Sequence, residues 1–229
     1  MKRSEINRAL KELEQMIREY RYFLPKFCDF TPEEWRTKGH EWDEVRDNML
    51  GWDITDFGQG DFDRVGFSLI TIRNGNQKRQ DEYPKPYAEK FLYLREGQYA
   101  LNHFHWYKME DIINRGGGNL VFRLWNATKD EKVDRETPVK IFSDGREYTV
   151  PCGSDIVLEP GQSLSLYPYY YHEFTIQPGT EYAIIGEVSM CNDDNTDNCF
   201  EEAQGRFPTI EEDEPAYRLL CNEYPPAKD

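Results

Sequence analysis

Gly97-QYALN-His103-Phe104-His105-WYKM-Glu110-DIINRG-Gly117 decides the fold, because it gathers three candidate metal ligands within eight residues and holds two of the chain's four histidines. In a β-strand alternate side chains project to one face, so His103 and His105 point together while Phe104 points the other way. That spacing is chelate geometry. After a short turn Glu110 returns a carboxylate toward the pair, and imidazoles with one carboxylate suit Mn, Fe, Co, Ni or Zn better than Ca or Mg. Gly97 and Gly117 bracket the group as turn residues tolerant of positive φ. An isolated H-x-H is often no more than two histidines on a solvated strand. Here the flanking glycines and the carboxylate favour a metal site.

The run resembles the first signature of the cupin superfamily, G-x5-H-x-H-x4-E-x6-G, matched at Gly97, His103, His105, Glu110 and Gly117. The second signature of that superfamily supplies a fourth ligand from a later strand. Gly153-SDIVLE-Pro160-Gly161 followed by His172 resembles it, with ten residues between Gly161 and His172. The resemblance therefore implies a metal held by His103, His105, Glu110 and His172 inside a jelly-roll β-barrel.

Length and charge bound the rest. The 229 residues suffice for one barrel with additions and a proper core. A net charge of −15 argues against phosphate backbones and anionic lipid as partners. The strongest basic run, Lys78-Arg79, is followed at once by Asp81 and Glu82. No apolar run approaches the length of a membrane span, and MKRSEINRALKELEQ lacks the apolar core of a secretory signal, so the expected location is cytoplasmic. Five cysteines, Cys28, Cys152, Cys191, Cys199 and Cys221, are odd in number and lack paired metal-finger spacing, which reads as reduced thiols.

Apolar residues at Ile6, Leu10, Leu13, Ile17 and Tyr20 follow helical spacing, and Pro25 is expected to stop that helix. Thr31-Pro32-Glu33-Glu34 predicts a second start with a capping box, and Trp35, Trp42 and Val45 give the region a packing face. His40 reads as a surface residue. From Gly51 the chain is expected to loop into strands: Arg64 to Ile72, closed by the turn signal Asn74-Gly75, then Glu89 to Arg95, Tyr99 to His105, Leu120 to Asn126, Val139 to Phe142, Arg146 to Val150, Asp155 to Leu158, Ser163 to Tyr167, Tyr171 to Gln177 and Tyr182 to Ser189. Many short strands at this spacing imply an all-β sandwich or barrel. The expected organisation is a helical extension over residues 1–55, a cupin barrel over 56–190, and an irregular acidic tail over 191–229 that packs on the barrel or a partner. Glu211 to Glu214 reads as a solvated charge run, whereas NDDNTDN follows a barrel strand closely enough to reach the mouth as a lid.

Three neutral imidazoles and one carboxylate leave a divalent ion with net charge near +1 and room for two substrate oxygens, suited to polarising a carbonyl beside a hydroxyl. The same openings would serve dioxygen on Fe(II). Lys90, in phase with Leu92 and Leu94, is expected to face inward as an acid-base group. Glu187 is a charge inside the apolar run Ile184-Ile185-Gly186-Glu187-Val188 and is expected in the cavity as a carbon base. Glu202 is the other candidate base; Asp193 and Asp194 are weaker ones. Trp106, Tyr107, Tyr169, Tyr170 and Tyr171 flank the ligands and would suit carbohydrate faces, though ordinary packing explains each singly.

Over nearly its whole length the chain is similar to the D-lyxose ketol-isomerase family of cupins. The likeness rests on the helical extension, Y-A-E-K before the first motif, the spacing to His172, NDDNTDN, and GRFP-x-IEEDE. It implies a Mn(II)-dependent aldose-ketose isomerase, acting as a homodimer on D-lyxose and D-xylulose and also on D-mannose and D-fructose. The mechanism that fits both lines is proton transfer through a cis-enediol, with a hydride shift as the alternative route. An Fe(II)-dependent cupin dioxygenase and a non-catalytic sugar-binding cupin remain the other readings.

Overall fold

The computed structural model describes residues 1–202 and 205–229. Strands are numbered in chain order, and all their ladders are antiparallel. One sheet runs β1 (Gly51–Thr55), β2 (Phe67–Arg73), β3 (Tyr87–Arg95), β13 (Tyr182–Met190), β5 (Glu110–Gly117), β11 (Ser163–Leu166), β8 (Val139–Ser143), β9 (Arg146–Val150). The other runs β10 (Ile156–Leu158), β6 (Leu120–Ala127), β12 (Tyr170–Ile176), β4 (Tyr99–Phe104), β14 (Cys199–Phe200), with β7 (Val133–Asp134) beside β6. These two curled sheets form the expected all-β jelly roll. Gly97 and Gly117 take φ of 87° and 86°, as turn residues should.

Alternation divides the apolar side chains between two cores. Leu69, Leu92, Leu94 and Ile185 point between the sheets with Ile112, Phe122, Leu124 and Phe174. Ile70, Ile72, Phe91, Tyr93 and Ile184 point outward, where they meet Ile6, Leu10, Leu13 and Ile17 of helix α1 (Arg3–Glu19) together with Trp35 and Trp52. Both faces of these strands are thus covered, and β2 is buried from Phe67 to Ile72. That burial explains why Phe67–Ile72 lacks clean polar alternation.

The structure moves the first domain boundary. Gly51–Thr55, expected as loop at the end of the extension, is instead a barrel strand paired along its full length with β2, from Gly51 opposite Thr71 to Thr55 opposite Phe67. A cut after residue 55 would separate two hydrogen-bonded strands. Leu10→Ala tests whether α1 belongs to this core: it should cost about 2–5 kcal/mol in a urea titration, whereas a detachable helix would lose almost nothing.

The helix α1 also ends earlier than Pro25. Arg21 adopts φ 52°, Arg21 N–H donates to the Arg18 carbonyl and Tyr22 N–H to the Ile17 carbonyl, both at 3.0 Å. This is a Schellman closure with arginine where glycine is usual, so its sequence mark is absent. The second start is as expected: α2 (Pro32–Trp35) has Glu34 N–H donating to Thr31 Oγ1 at 3.1 Å, and Thr31 N–H donating back to Glu34 Oε2 at 2.8 Å. His40 stands exposed beside Asp43, short of helix α3 (Asp43–Asp47).

The acidic run Glu211 to Glu214 is exposed, as expected of a solvated run, yet three of its carboxylates are paired. Glu212 pairs with Arg3 at 2.6 Å, Asp213 accepts from Ser4 N–H at 2.9 Å and Ser4 Oγ at 2.6 Å, and Glu214 accepts from Asn7 Nδ2 at 2.6 Å. Lys2 at the N-cap offers no acceptor of its own. The tail therefore caps α1 from a distance, where unsatisfied N–H groups and the helix dipole favour carboxylates. The Asn74-Gly75 pair makes no hairpin either: Asn74 Nδ2 bridges the Asn48 and Asn192 carbonyls at 3.1 and 2.9 Å, and Gly75 has no room for a Cβ against the Lys85 carbonyl. Among the described residues no helix is long and apolar enough to cross a membrane, and all five cysteines are free thiols.

Candidate active site

The strand registers bring the motif residues together across the sandwich. On the second sheet β4 and β12 are neighbours with His103 opposite His172, and His105 follows directly after β4. Their three ligand nitrogens lie within 4.8 Å of one another. Glu110 comes from the facing sheet, its Oε1 3.5 Å from His105 Nε2 and 3.3 Å from His172 Nε2. His105, His172 and Glu110 are buried, and His103 is half-buried.

Each imidazole is oriented through its other nitrogen. Nδ1 of His103 meets the Leu101 carbonyl at 2.7 Å, that of His105 the Asp197 carbonyl at 2.6 Å, and that of His172 the Tyr170 carbonyl at 3.0 Å. A carbonyl can only accept, so each Nδ1 carries a proton and Nε2 is the nitrogen left facing the other two imidazoles. Burial and the neighbouring imidazoles push His103 well below the ordinary histidine value. Burial pushes His172 down to about 4 against the pull of Glu110. Burial alone would raise Glu110, but Lys108, His105 and His172 hold it well below the usual carboxylate range. Three imidazoles aimed through Nε2 beside an ionised carboxylate fit a divalent first-row cation.

The remaining chemistry follows from the same registers. In β3 and β13 Lys90 lies opposite Glu187, and in β13 and β5 Ser189 lies opposite Glu110. Lys90 Nζ sits 3.3 Å from Glu187 Oε1 and donates to Asn192 Oδ1 at 2.7 Å. Both candidates are inward and buried, as expected from alternation. Glu187 Oε1 also accepts from Lys108 Nζ and Ser189 Oγ, each at 3.1 Å. Lys108 reaches on to Glu110 Oε2 at 2.6 Å. Burial would lower Lys108, yet Glu110 and Glu187 hold its ammonium above the ordinary lysine value. Lys90, Lys108, Glu110, Glu187 and the three imidazoles all line one cavity.

Other expectations are redistributed. Glu202 is exposed and lines a separate surface pocket with Tyr99, Asn102 and Glu173, so the structure leaves it outside the cavity. Asp193 is turned outward to Lys78 at 2.7 Å. The flanking aromatics are also not the cavity's walls: Tyr171 is buried against Phe104 on the outer face, Trp106 and Tyr170 are half-buried, and Tyr107 and Tyr169 are exposed. Since His172 points inward, its neighbour Tyr171 must point out. The walls are Phe57, Phe67, Phe174 and Phe200 with Leu69, Leu92 and Ile112.

Four positions in or against the candidate site were not singled out from sequence. Lys108 lies between H-x-H and Glu110, where a lysine enclosed by candidate ligands was the available signal. Asn192 and Asp197 belong to NDDNTDN, and Arg206 follows it in the GRFP segment. Asp194, a weak candidate, lines the cavity as a lid residue should; burial would raise its carboxyl, but Arg206, Lys90 and Lys108 hold it far down. Asp197 accepts from the Tyr107 and Lys108 N–H groups at 2.9 and 3.0 Å while its carbonyl orients His105. Asp197→Ala should therefore weaken Mn(II) binding roughly 10- to 100-fold by isothermal titration. An unchanged affinity would show that this carboxylate does not position His105.

The sequence matches the family model described as D-lyxose isomerase over residues 1–224. It is 44% identical over 225 residues to the D-lyxose/D-mannose isomerase of Escherichia coli O157:H7, covering 98% of each chain. It is 45% identical over 226 residues to the D-lyxose/D-mannose isomerase of Serratia proteamaculans, again covering 98% of each. In fold it is similar to the L-ribose isomerase of Acinetobacter sp. DL28 solved with L-ribose, at a TM-score of 0.58, with 14% identity over 92% of this chain and 98% of that one.

Proposed function

Since the chain belongs to the D-lyxose isomerase family and is a sugar isomerase, we propose that it interconverts D-lyxose with D-xylulose, and D-mannose with D-fructose, using Mn(II). What carries the reading is that the His103, His105, His172 and Glu110 cluster shares one cavity with the Lys90–Glu187 pair. Those three histidines and Glu110 would hold Mn(II), which would supply Lewis-acid polarisation of a carbonyl and its neighbouring hydroxyl; Co, Fe, Ni or Zn would suit the same donors.

This chain's own residues move the protons. Glu187 carboxylate takes the proton from C2 of the open-chain aldose, the C–H electron pair becomes the C1–C2 double bond, and the carbonyl pair passes to O1. Lys90 gives O1 a proton, forming the cis-enediol. Lys90 then recovers a proton from O2 as the C2 carbonyl forms, and Glu187 returns its proton to C1. The balance closes with no oxidant. Lys90 and Lys108 Nζ hold Glu187 Oε1 in place at 3.3 and 3.1 Å, and the surrounding phenylalanines limit competing water. With Glu202 outside the cavity, Glu187 is the carbon base of this proposal. A homodimer, implied by the family resemblance, is part of it and is tested by sedimentation.

The test is an assay with Mn(II) against free pentoses and hexoses, with dissolved oxygen followed in parallel. Ketose formation from D-lyxose and D-mannose without oxygen uptake is expected; oxygen consumption, or turnover confined to other sugars, would overturn the proposal.

A further inference from the structure

The cavity contains one cation that the proton-transfer chemistry does not use. Arg206 lies on the tail, its carbonyl fixed by Thr55 Oγ1 at 2.7 Å, and its side chain is nine-tenths buried. Nη2 donates to Asp53 Oδ2 at 2.5 Å and to Asp194 Oδ2 at 3.3 Å, and Nε lies 3.3 Å from Asp194 Oδ1. Nη1 is buried and, among the described residues, has no hydrogen-bond partner. A guanidinium carries five N–H donors in a rigid fork, and two of them are on Nη1.

Leaving a charged donor buried and unmatched costs free energy that a ligand hydroxyl in the adjoining cavity would recover. Arg206 lines the same cavity as the histidine cluster. Two carboxylates already neutralise it, so it offers a directed hydrogen bond without surplus positive charge. That suits a neutral hydroxyl better than a phosphate ester or carboxylate. Phe57, Phe67 and Leu69 also line this cavity, giving apolar surface to the C–H faces of such a ligand.

We propose that Arg206 Nη1, held by Asp53 and Asp194, receives a hydroxyl of the sugar beyond C2 and so selects unphosphorylated substrates by the configuration of their distal carbons. This rests on the sugar-isomerase site proposed above. Arg206 is here a specificity residue, and Asp53 and Asp194 position it.

The test pairs the residue with the hydroxyl. Turnover of D-lyxose and its 3-, 4- and 5-deoxy analogues is measured on the Mn(II)-loaded wild-type protein and on Arg206→Lys. In the wild type, removal of one particular hydroxyl should lower kcat/KM roughly 10- to 100-fold, the loss expected for a hydrogen bond to a charged group. In Arg206→Lys the same removal should cost less than about threefold. A purely structural arginine would lower turnover of all four sugars by one common factor, and that result overturns the proposal. The wild type alone also decides: if none of the three deoxy sugars loses as much as fivefold, no distal hydroxyl is recognised. Absence of turnover on any of the sugars would overturn the isomerase reading itself, a result distinct from additive losses.

Discussion

Glu187→Gln is expected to lower kcat by roughly 10²- to 10⁴-fold, the span of a lost general base, while leaving KM within a few-fold. Glutamine preserves the shape of the side chain and an oxygen for Ser189 Oγ and Lys108 Nζ. What it removes is the carboxylate oxygen that, in the proposed mechanism, takes the C2 proton. Because Glu187 lies outside the histidine and Glu110 cluster, Mn(II) affinity should change little, which separates loss of the base from loss of the site. Initial rates with D-lyxose, measured beside a Mn(II) titration of the same preparation, check both statements. A variant that keeps a tenth of wild-type kcat would show that another group abstracts the proton.

His105→Ala should do more, because it removes a nitrogen from the cluster and cuts the link to Asp197 as well. Loss of an orienting partner alone costs about 10–100-fold in metal affinity, so loss of the ligand itself should exceed about 100-fold. Activity should then fall below about one per cent at Mn(II) concentrations that saturate the wild type. Chelation of the wild-type protein should abolish turnover, and returning Mn(II) should restore it. If His105→Ala binds Mn(II) as tightly as the parent, the ion sits elsewhere.

The site was legible wherever strand alternation fixes direction. His103 and His105 share a face around Phe104, Lys90 keeps phase with Leu92 and Leu94, and Glu187 stands out as a charge in an apolar strand. Each of these orientations follows from a period of two. Alternation also explains the misplaced aromatics: Tyr171 neighbours a candidate ligand in sequence and for that reason faces away from it. Lys108 sits in a turn, where no period applies and direction depends on the fold.

The tail was harder to read because its partners lie far away in the chain. Asp213 caps a helix that begins some 209 residues earlier, and nothing local distinguishes it from a solvated acid. Arg206 is held not only by nearby Asp194 but by Asp53, on a strand 153 residues away. That strand, β1, was itself obscured: five residues opening on a glycine at φ 108° resemble a loop until β2 pairs with them. Local signals placed most of the strands, though not β1, β5, β7 or β14, and long-range polar pairing decided the tail.

Anomalous diffraction at the manganese edge from crystals grown with Mn(II) tests the central claim most directly. One peak within coordination distance of His103, His105 and His172 Nε2 and Glu110 Oε1, in the cavity shared with Glu187, is the expected result. A peak away from these four side chains, or none in crystals of active protein, would contradict it.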